Sequence, residues 1–488
     1  MTTVFDPLRM SAVSLDVMAV NRDSAQGVAR RQQARLALLL DAALAGSRLY
    51  RQLLAARTTA RTPLQDLPVV TRGQLMERFD DWVTDPCLTL DALRAFTADP
   101  SRIAQPWQGR YMVWESSGTS GQPGIFVQDA QAMAVYDALE ALRRSAPRPL
   151  AHWMDPLHLS ERHAFVGVTG GHFASHVSLR RLRNLNPWLA ATTRSFSIQE
   201  PTADLVRSLN EFAPTILITY PTVAALLAQE AESGRLRIAP REIWTGGETL
   251  GAGVRAYVEQ CLGGVLRNSY GASEFLAMGW ECAHGQMHLN ADWVILEPVD
   301  ERYRPVPPGE PPHAMLLTNL ANTVQPLIRY ELGDHVTVHA EPCACGSPLP
   351  VIEVCGRQDD PLHMAGREGG AVTLLPLALT AVLEDDAGGS ISTCARSTAA
   401  PWCCDCRWRA RPGRLPWPAA VPPSRPLLPC RAWHRSVCAL SLVSLCRAGA
   451  AARPAASWHA AGHIRAWKTR RPPRPRCRRP SCSWCWAS

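Results

Sequence analysis

Residues 115–126 read ESSGTSGQPGIF, so Ser117, Gly118, Thr119, Ser120 and Gly121 follow one another directly. Glycines let a backbone turn tightly and aim several N–H groups at one point, and hydroxyls add donors that can follow an oxyanion. Such a loop can cradle phosphates. It serves equally as a solvated turn, so alone it decides nothing. No lysine follows it, which excludes the G-x-x-x-x-G-K-[ST] phosphate loop. Neither Ser120 nor Ser273 stands in G-x-S-x-G, which excludes a nucleophile elbow of that form.

A second constellation could bind metal. Cys282, His284 and His288 lie in ECAHGQMHLN, and Cys343 and Cys345 in CACGSP. A Cys-x-Cys-Gly knuckle sets two thiolates on a tight turn, and one cysteine and one histidine from upstream would complete a tetrahedral zinc site. Spacing leaves His284 and His288 both open. Four protein ligands leave no vacant position, so a metal here would be structural. Two buried thiols and two exposed histidines are the plain alternative.

The elements that must position these residues follow from periodicity. Residues 25–60 repeat apolar positions at helical spacing. LQDLPVVTRGQLMERF reads as a loop, a Thr71 cap and a helix, and AQAMAVYDALEALRRSA as another helix. HAFVGVTGG, PTILITYP, REIWTGGETL and GGVLRNSYGASE are short apolar strands that run into turns or helices. Strands alternating with helices predict an α/β fold with largely parallel sheets flanked by helices. From about residue 285 the runs alternate between Pro/Gly turns, which predicts a smaller antiparallel β region.

At 488 residues, with 46% hydrophobic and 19% charged, the chain is expected to be a soluble protein of several domains. No signal peptide or membrane span is legible, so a cytoplasmic location is expected. The formal charge of +8 is unevenly spread: residues 391–488 carry 17 Arg, one Lys and one Asp, a net +17, leaving −9 for the first 390. Ten of the 16 cysteines also lie there, with 13 Pro, eight Trp and no Asn, Gln, Glu, Phe or Tyr. The tail shows no helical or strand period and is expected to lack order. A basic nucleic-acid arm or a metal module would suit parts of that composition. GC-rich DNA read out of frame yields the same residues, and a frameshift near Gly388 is the reading preferred here. No nucleic-acid or membrane partner is expected.

The loop does not stand alone. SSGTSGQPG (116–124), WTGGE (244–248), SYGASE (269–274), RYELGD (329–334) and GRQDD (356–360) occur in that order. Together they resemble the core motifs of the adenylate-forming superfamily, and with CACG they look most like its phenylacetate–coenzyme A ligase family and the coenzyme F390 synthetase-like relatives. The resemblance covers about residues 65–390. It implies a large N-terminal ATP- and acyl-binding domain (1–356), a hinge opening a small C-terminal domain (357–390), and the anomalous tail (391–488). It also implies that ATP and a carboxylic acid, aromatic by family preference, form an acyl-adenylate and pyrophosphate. A thiol, of coenzyme A or of a carrier protein, then takes the acyl group.

By that resemblance Ser117, Gly118, Thr119, Ser120 and Gly121 bind the outer phosphates. Gly246, Gly247 and Glu248 line the nucleotide and acyl pocket, and Tyr270 and Gly271 lie against adenine. Glu274 holds Mg²⁺, Asp334 accepts from the ribose hydroxyls, and Arg357 adds a donor nearby. Thr119 and Glu274 are the catalytic candidates. Relatives with a similar Cys…His…Cys-x-Cys pattern favour zinc on Cys282, His288, Cys343 and Cys345. Two departures stand out: Gly124 follows the loop's proline, and the chain's one lysine, Lys468, lies in the tail without the motif context of the superfamily's C-terminal lysine. Loss of that lysine implies an impaired ligase, or a remnant that binds nucleotide without catalysis.

Overall fold

The computed structural model describes residues 4–54, 59, 62–116, 123–143, 160–310 and 312–357, and the backbone of 362–365, 371–374, 389–395 and 403–408. One compact unit comprises Met1–Pro361 and Thr380–Gly389, a second Leu362–Leu379 and Ser390–Ser488.

The first unit opens with helices. Asp6 caps Pro7–Val20 through the N–H groups of Leu8 and Arg9. The periodic run from residue 25 forms two helices, Ala25–Gly46 and Arg48–Leu53. Ser47 breaks it because its extended backbone lets its hydroxyl cap the second helix at Tyr50 N. Gly46 permits a close approach there, since a Cβ would lie 2.5 Å from Thr84 Cβ. The expected Thr71 cap is present as a capping box with Gln74.

Strands β1 (Met112–Glu115) and β2 (Ile125–Gln128) form an antiparallel hairpin, and helix Ala130–Leu142 follows. Strands β3 (His163–Gly167), β4 (Thr193–Ser197), β5 (Ile216–Thr219), β6 (Glu242–Thr245) and β7 (Val265–Tyr270) are parallel, in the order β4-β3-β5-β6-β7. Helices Thr202–Phe212, Pro221–Glu232 and Ala252–Leu262 pack their buried Leu209, Leu227 and Val258 with Val166, Leu217 and Ile243 of the sheet. Gly263 ends the last of these helices in the left-handed conformation, with φ +71.

Beyond β7 the pairing turns antiparallel. Strands β8 (Gly279–Glu281) and β9 (Met287–Leu289) continue the sheet, whereas β10 (Val294–Val299), β11 (Ala314–Asn319) and β12 (Tyr330–Leu332) form a separate three-stranded sheet. Strands β13 (Asp334–His339) and β14 (Val351–Arg357) return to the main sheet beside β9 and complete nine strands. The antiparallel region predicted after residue 285 therefore exists, but half of it extends the parallel sheet. The fold is α/β, with a large mixed sheet flanked by helices.

In the second unit, β15 (Leu362–Ala365) and β16 (Ala371–Leu374) form a hairpin. Strands β17 (Gly389–Ala395) and β18 (Cys403–Trp408) pair in another two-stranded sheet, within a stretch whose sequence shows no strand period.

Candidate functional site

Parallel strands end in a common crevice, and in open α/β sheets that is where ligands bind. The carboxyl ends of β5, β6 and β7 are in register, with Thr219 beside Thr245 and Thr245 beside Asn268. The motif residues of WTGGE and SYGASE follow at once. A Cβ at Gly246 would lie 2.5 Å from Ser269 Oγ and 3.2 Å from Ser269 O, and Gly247 has φ +78, a conformation that favours glycine. Glu248 turns back to accept from Thr222 N at 3.0 Å and Thr222 Oγ1 at 3.1 Å. That places its charge in the first turn of helix Pro221–Glu232, where the helix dipole favours it.

Tyr270 ends β7, and its phenol donates to Asp334 Oδ2 at 2.8 Å. Asp334 opens β13, which β14, β9 and β8 separate from β7 in the sheet. Gly271 is forced by a close approach of backbone: a Cβ there would lie 2.0 Å from Leu276 O. The turn that follows carries Glu274, which is 7% exposed. Burial raises its carboxyl pKa, opposed by hydrogen bonds from Tyr330 and from its own backbone N–H and reinforced by the charge of Asp334. Tyr330 OH donates to Glu274 Oε1 at 2.7 Å. The turn's backbone is held as well: Trp114 Nε1 donates to Ser273 O at 2.8 Å and Asn319 Nδ2 to Glu274 O at 2.9 Å.

Ser117, Gly118, Thr119, Ser120 and Gly121 lie outside the described residues. The base of their loop is described. Ser116 N donates to Gly124 O at 2.9 Å, and Gly124 N donates to Ser116 Oγ at 2.8 Å. Glu115 N donates to His172 O at 2.9 Å, which seats the loop's base beside the turn after β3. Arg357 pairs by backbone with Asp334 across β13 and β14, so the two expected ribose-side residues are cross-strand neighbours.

The structure thus brings together Tyr270, Glu274 and Asp334, which sequence reasoning named, with Tyr330, Trp114 and Asn319, which it did not. Tyr330 carried a signal, since it stands inside RYELGD. Trp114 and Asn319 carried none, because their role is to hold a backbone carbonyl remote in sequence.

The second cluster also assembles. The ligand atoms of Cys282, His288, Cys343 and Cys345 all lie within 4.8 Å of one another. Cys282 Sγ and Cys343 Sγ are 3.8 Å apart, and Cys345 Sγ is 3.3 Å from His288 Nε2. A tetrahedron with zinc–sulfur bonds of about 2.3 Å has sulfur–sulfur edges of about 3.8 Å. His288 Nδ1 meets Leu349 O at 3.0 Å, which directs Nε2 at the thiols. Burial holds the imidazole below its ordinary pKa and therefore neutral, with the Leu349 carbonyl opposing. His284 is exposed and lies outside the cluster, and its backbone N–H donates to Cys282 Sγ at 3.4 Å. The geometry selects His288 over His284.

No family model matches the chain. Protein CapK of Staphylococcus aureus is 26% identical over 177 residues, 36% of this chain and 37% of that one, so the chain matches little more than a third of this relative's length. Among solved structures, 2-hydroxyisobutyryl-CoA ligase in its postadenylation state with 2-HIB-AMP aligns at a TM-score of 0.53, with 20% identity over 74% of each chain. The same ligase with 2-HIB-AMP and CoA in the thioesterification state aligns at 0.51, with 20% identity over 78% of each chain. With its mixed sheet and the order of its motif residues, this chain has the fold of the adenylate-forming CoA ligases.

Proposed function

We propose that the chain activates a carboxylic acid, of the aromatic class, with ATP to form an acyl-adenylate and pyrophosphate. The acyl group then passes to the thiol of coenzyme A. The observation that carries this reading is the convergence of Tyr270, Asp334, Glu274 and Tyr330 at the carboxyl end of β7. An aromatic face, a carboxylate that can accept from two hydroxyls and a buried carboxyl suit adenine, ribose and a phosphate-bound cation in turn.

The buried Glu274 carboxyl fits Mg²⁺, a hard cation that takes carboxylate and phosphate oxygens together. When bound, Mg²⁺ would neutralise charge developing on the phosphates. Tyr270 would cover the base, and Asp334, with Arg357 beside it on β14, would hold the sugar. Backbone and hydroxyl donors of 117–121 would take the leaving pyrophosphate. The acyl oxygen attacks the α-phosphorus and the bond to pyrophosphate breaks; the thiol then displaces AMP. Lys468 is the one lysine of this sequence and lies in the tail; without a positioned lysine the rate would be lowered by about 10²–10³, the cost of removing one positioned electrostatic stabiliser.

The test is acid-dependent exchange of pyrophosphate into ATP across a panel of aromatic and aliphatic acids, followed by CoA or a carrier-protein thiol. Exchange that depends on an aromatic acid, and thioester formed on CoA alone, support the reading. ATP binding with no exchange for any acid would reduce the chain to a nucleotide-binding remnant.

At the second cluster, Cys282, His288, Cys343 and Cys345 would hold one structural Zn²⁺. The spacing of their ligand atoms supports this, and elemental analysis of the purified chain at about one zinc per protein checks it.

A further inference from the structure

We propose that Tyr330 is a positioning residue for Glu274: its hydroxyl commits one carboxylate oxygen so that the other faces a divalent cation. The inference rests on the adenylation reading above. Both side chains are buried, Tyr330 at 4% exposed and Glu274 at 7%. Tyr330 OH donates to Oε1 at 2.7 Å, and the carboxylate also accepts from the backbone N–H of Glu274 itself. A carboxylate held by a phenol and by its own backbone N–H has its plane fixed, and a carboxylate oxygen keeps a second lone pair for an outside ligand.

The donor is itself held from several sides. Tyr330 pairs with Leu317 across β11 and β12 and bridges to Val70. Val70 N donates to Arg329 O at 3.1 Å, and Glu331 N to Val70 O at 2.9 Å. Arg329 has φ +48, a conformation unfavourable to a side chain with a Cβ. Its guanidinium holds it there, donating to Leu67 O at 2.6 Å and Tyr303 O at 3.1 Å and pairing with Glu297 at 3.3 Å. Strain kept at one residue by this many bonds fixes the next, which is Tyr330. On the acceptor side, Trp114 and Asn319 hold the backbone of Ser273 and Glu274. Neither partner can drift, so the one soft coordinate left is rotation of the carboxylate, and the phenol removes it.

Partners that orient a metal ligand typically cost 10–100-fold in metal affinity when removed. The experiment is calorimetric titration of the full chain with ATP at a series of MgCl₂ concentrations, comparing wild type with Tyr330→Phe, which keeps the ring and loses only the hydroxyl. Tyr330→Phe is expected to need about ten-fold more Mg²⁺ for half-maximal ATP binding, with AMP binding in EDTA unchanged. In a Glu274→Gln background the same substitution is expected to have no further effect. Tyr303→Phe removes a phenol that donates to the neighbouring Glu331 at 2.9 Å and is expected to match wild type. An unchanged Mg²⁺ requirement in Tyr330→Phe, or an equal loss of metal-free AMP binding, would overturn the inference alone. A wild-type chain that binds no ATP at any MgCl₂ concentration would overturn the adenylation reading and this inference together.

Discussion

Gly271 shows how a single atom decides a site. A methyl group there meets the Leu276 carbonyl at 2.0 Å, and the obstacle is backbone, which cannot rotate away. Gly271→Ala is expected to cost about 1–3 kcal/mol, read as a lower urea midpoint, and to weaken ATP binding because the turn carrying Glu274 must shift. His176 offers a different residue-scale test. It is 5% exposed, its Nδ1 has no hydrogen-bond partner, and burial, with Arg180 and Arg183 adding repulsion, pushes its pKa from 6.5 down to about 4. The unfolded chain therefore takes up this proton first. Stability present above pH 6.5 is lost as the pH falls toward 4. His176→Gln should flatten unfolding free energy across that window; an unchanged slope would assign it to another group.

Helices and strands are tied by charges that no local pattern announces. Asp292, fully buried between β9 and β10, pairs with Arg143 at 2.8 Å and Arg35 at 3.8 Å. Arg35 also pairs with Asp16 of helix Pro7–Val20 and lies 3.5 Å over the Trp293 ring. Three helices are thereby fastened to one turn. Asp292→Ala would leave buried guanidinium charge uncompensated and is expected to lower stability by about 3–5 kcal/mol in chemical denaturation. The thiol cluster does the same for strands, joining the turn between β8 and β9 to the Cys343–Cys345 knuckle between β13 and β14. On the proposal that the cluster holds zinc, a chelator, or Cys343→Ser, should lower the melting temperature and raise hydrogen exchange in β8, β9, β13 and β14. Equal melting curves with and without chelator would argue against a bound metal.

For the whole molecule, the resemblance of the ordered motifs and the alignment to a CoA ligase agree on the fold, and the proposed chemistry rests on the residues at the carboxyl end of β7. Among the described residues no helix is long and apolar enough to cross a membrane. Full-length chain should show acid-dependent pyrophosphate exchange at about 10²–10³ below that of a ligase with its positioned lysine. Replacing the sequence downstream of Gly388 with a small domain that carries a positioned lysine should recover the difference. Recovery would confirm that the large unit was competent throughout, whereas an unrestored rate would place the defect in the crevice itself.

Periodicity and caps are local or additive signals, and they were enough to predict the parallel strands, the Thr71 cap and the α/β class, while the resemblance of the ordered motifs named Tyr270, Glu274 and Asp334 as candidates. Tertiary structure alone decided that β13 and β14 join the main sheet, because strand pairing depends on edges that only the assembled sheet presents. It chose His288 over His284 because β9 turns one imidazole toward the thiols and leaves the other exposed. It brought Tyr330 to Glu274 and Arg35 to Asp292, pairs 56 and 257 residues apart, since a hydrogen bond is set by distance in space and sequence spacing carries no record of it.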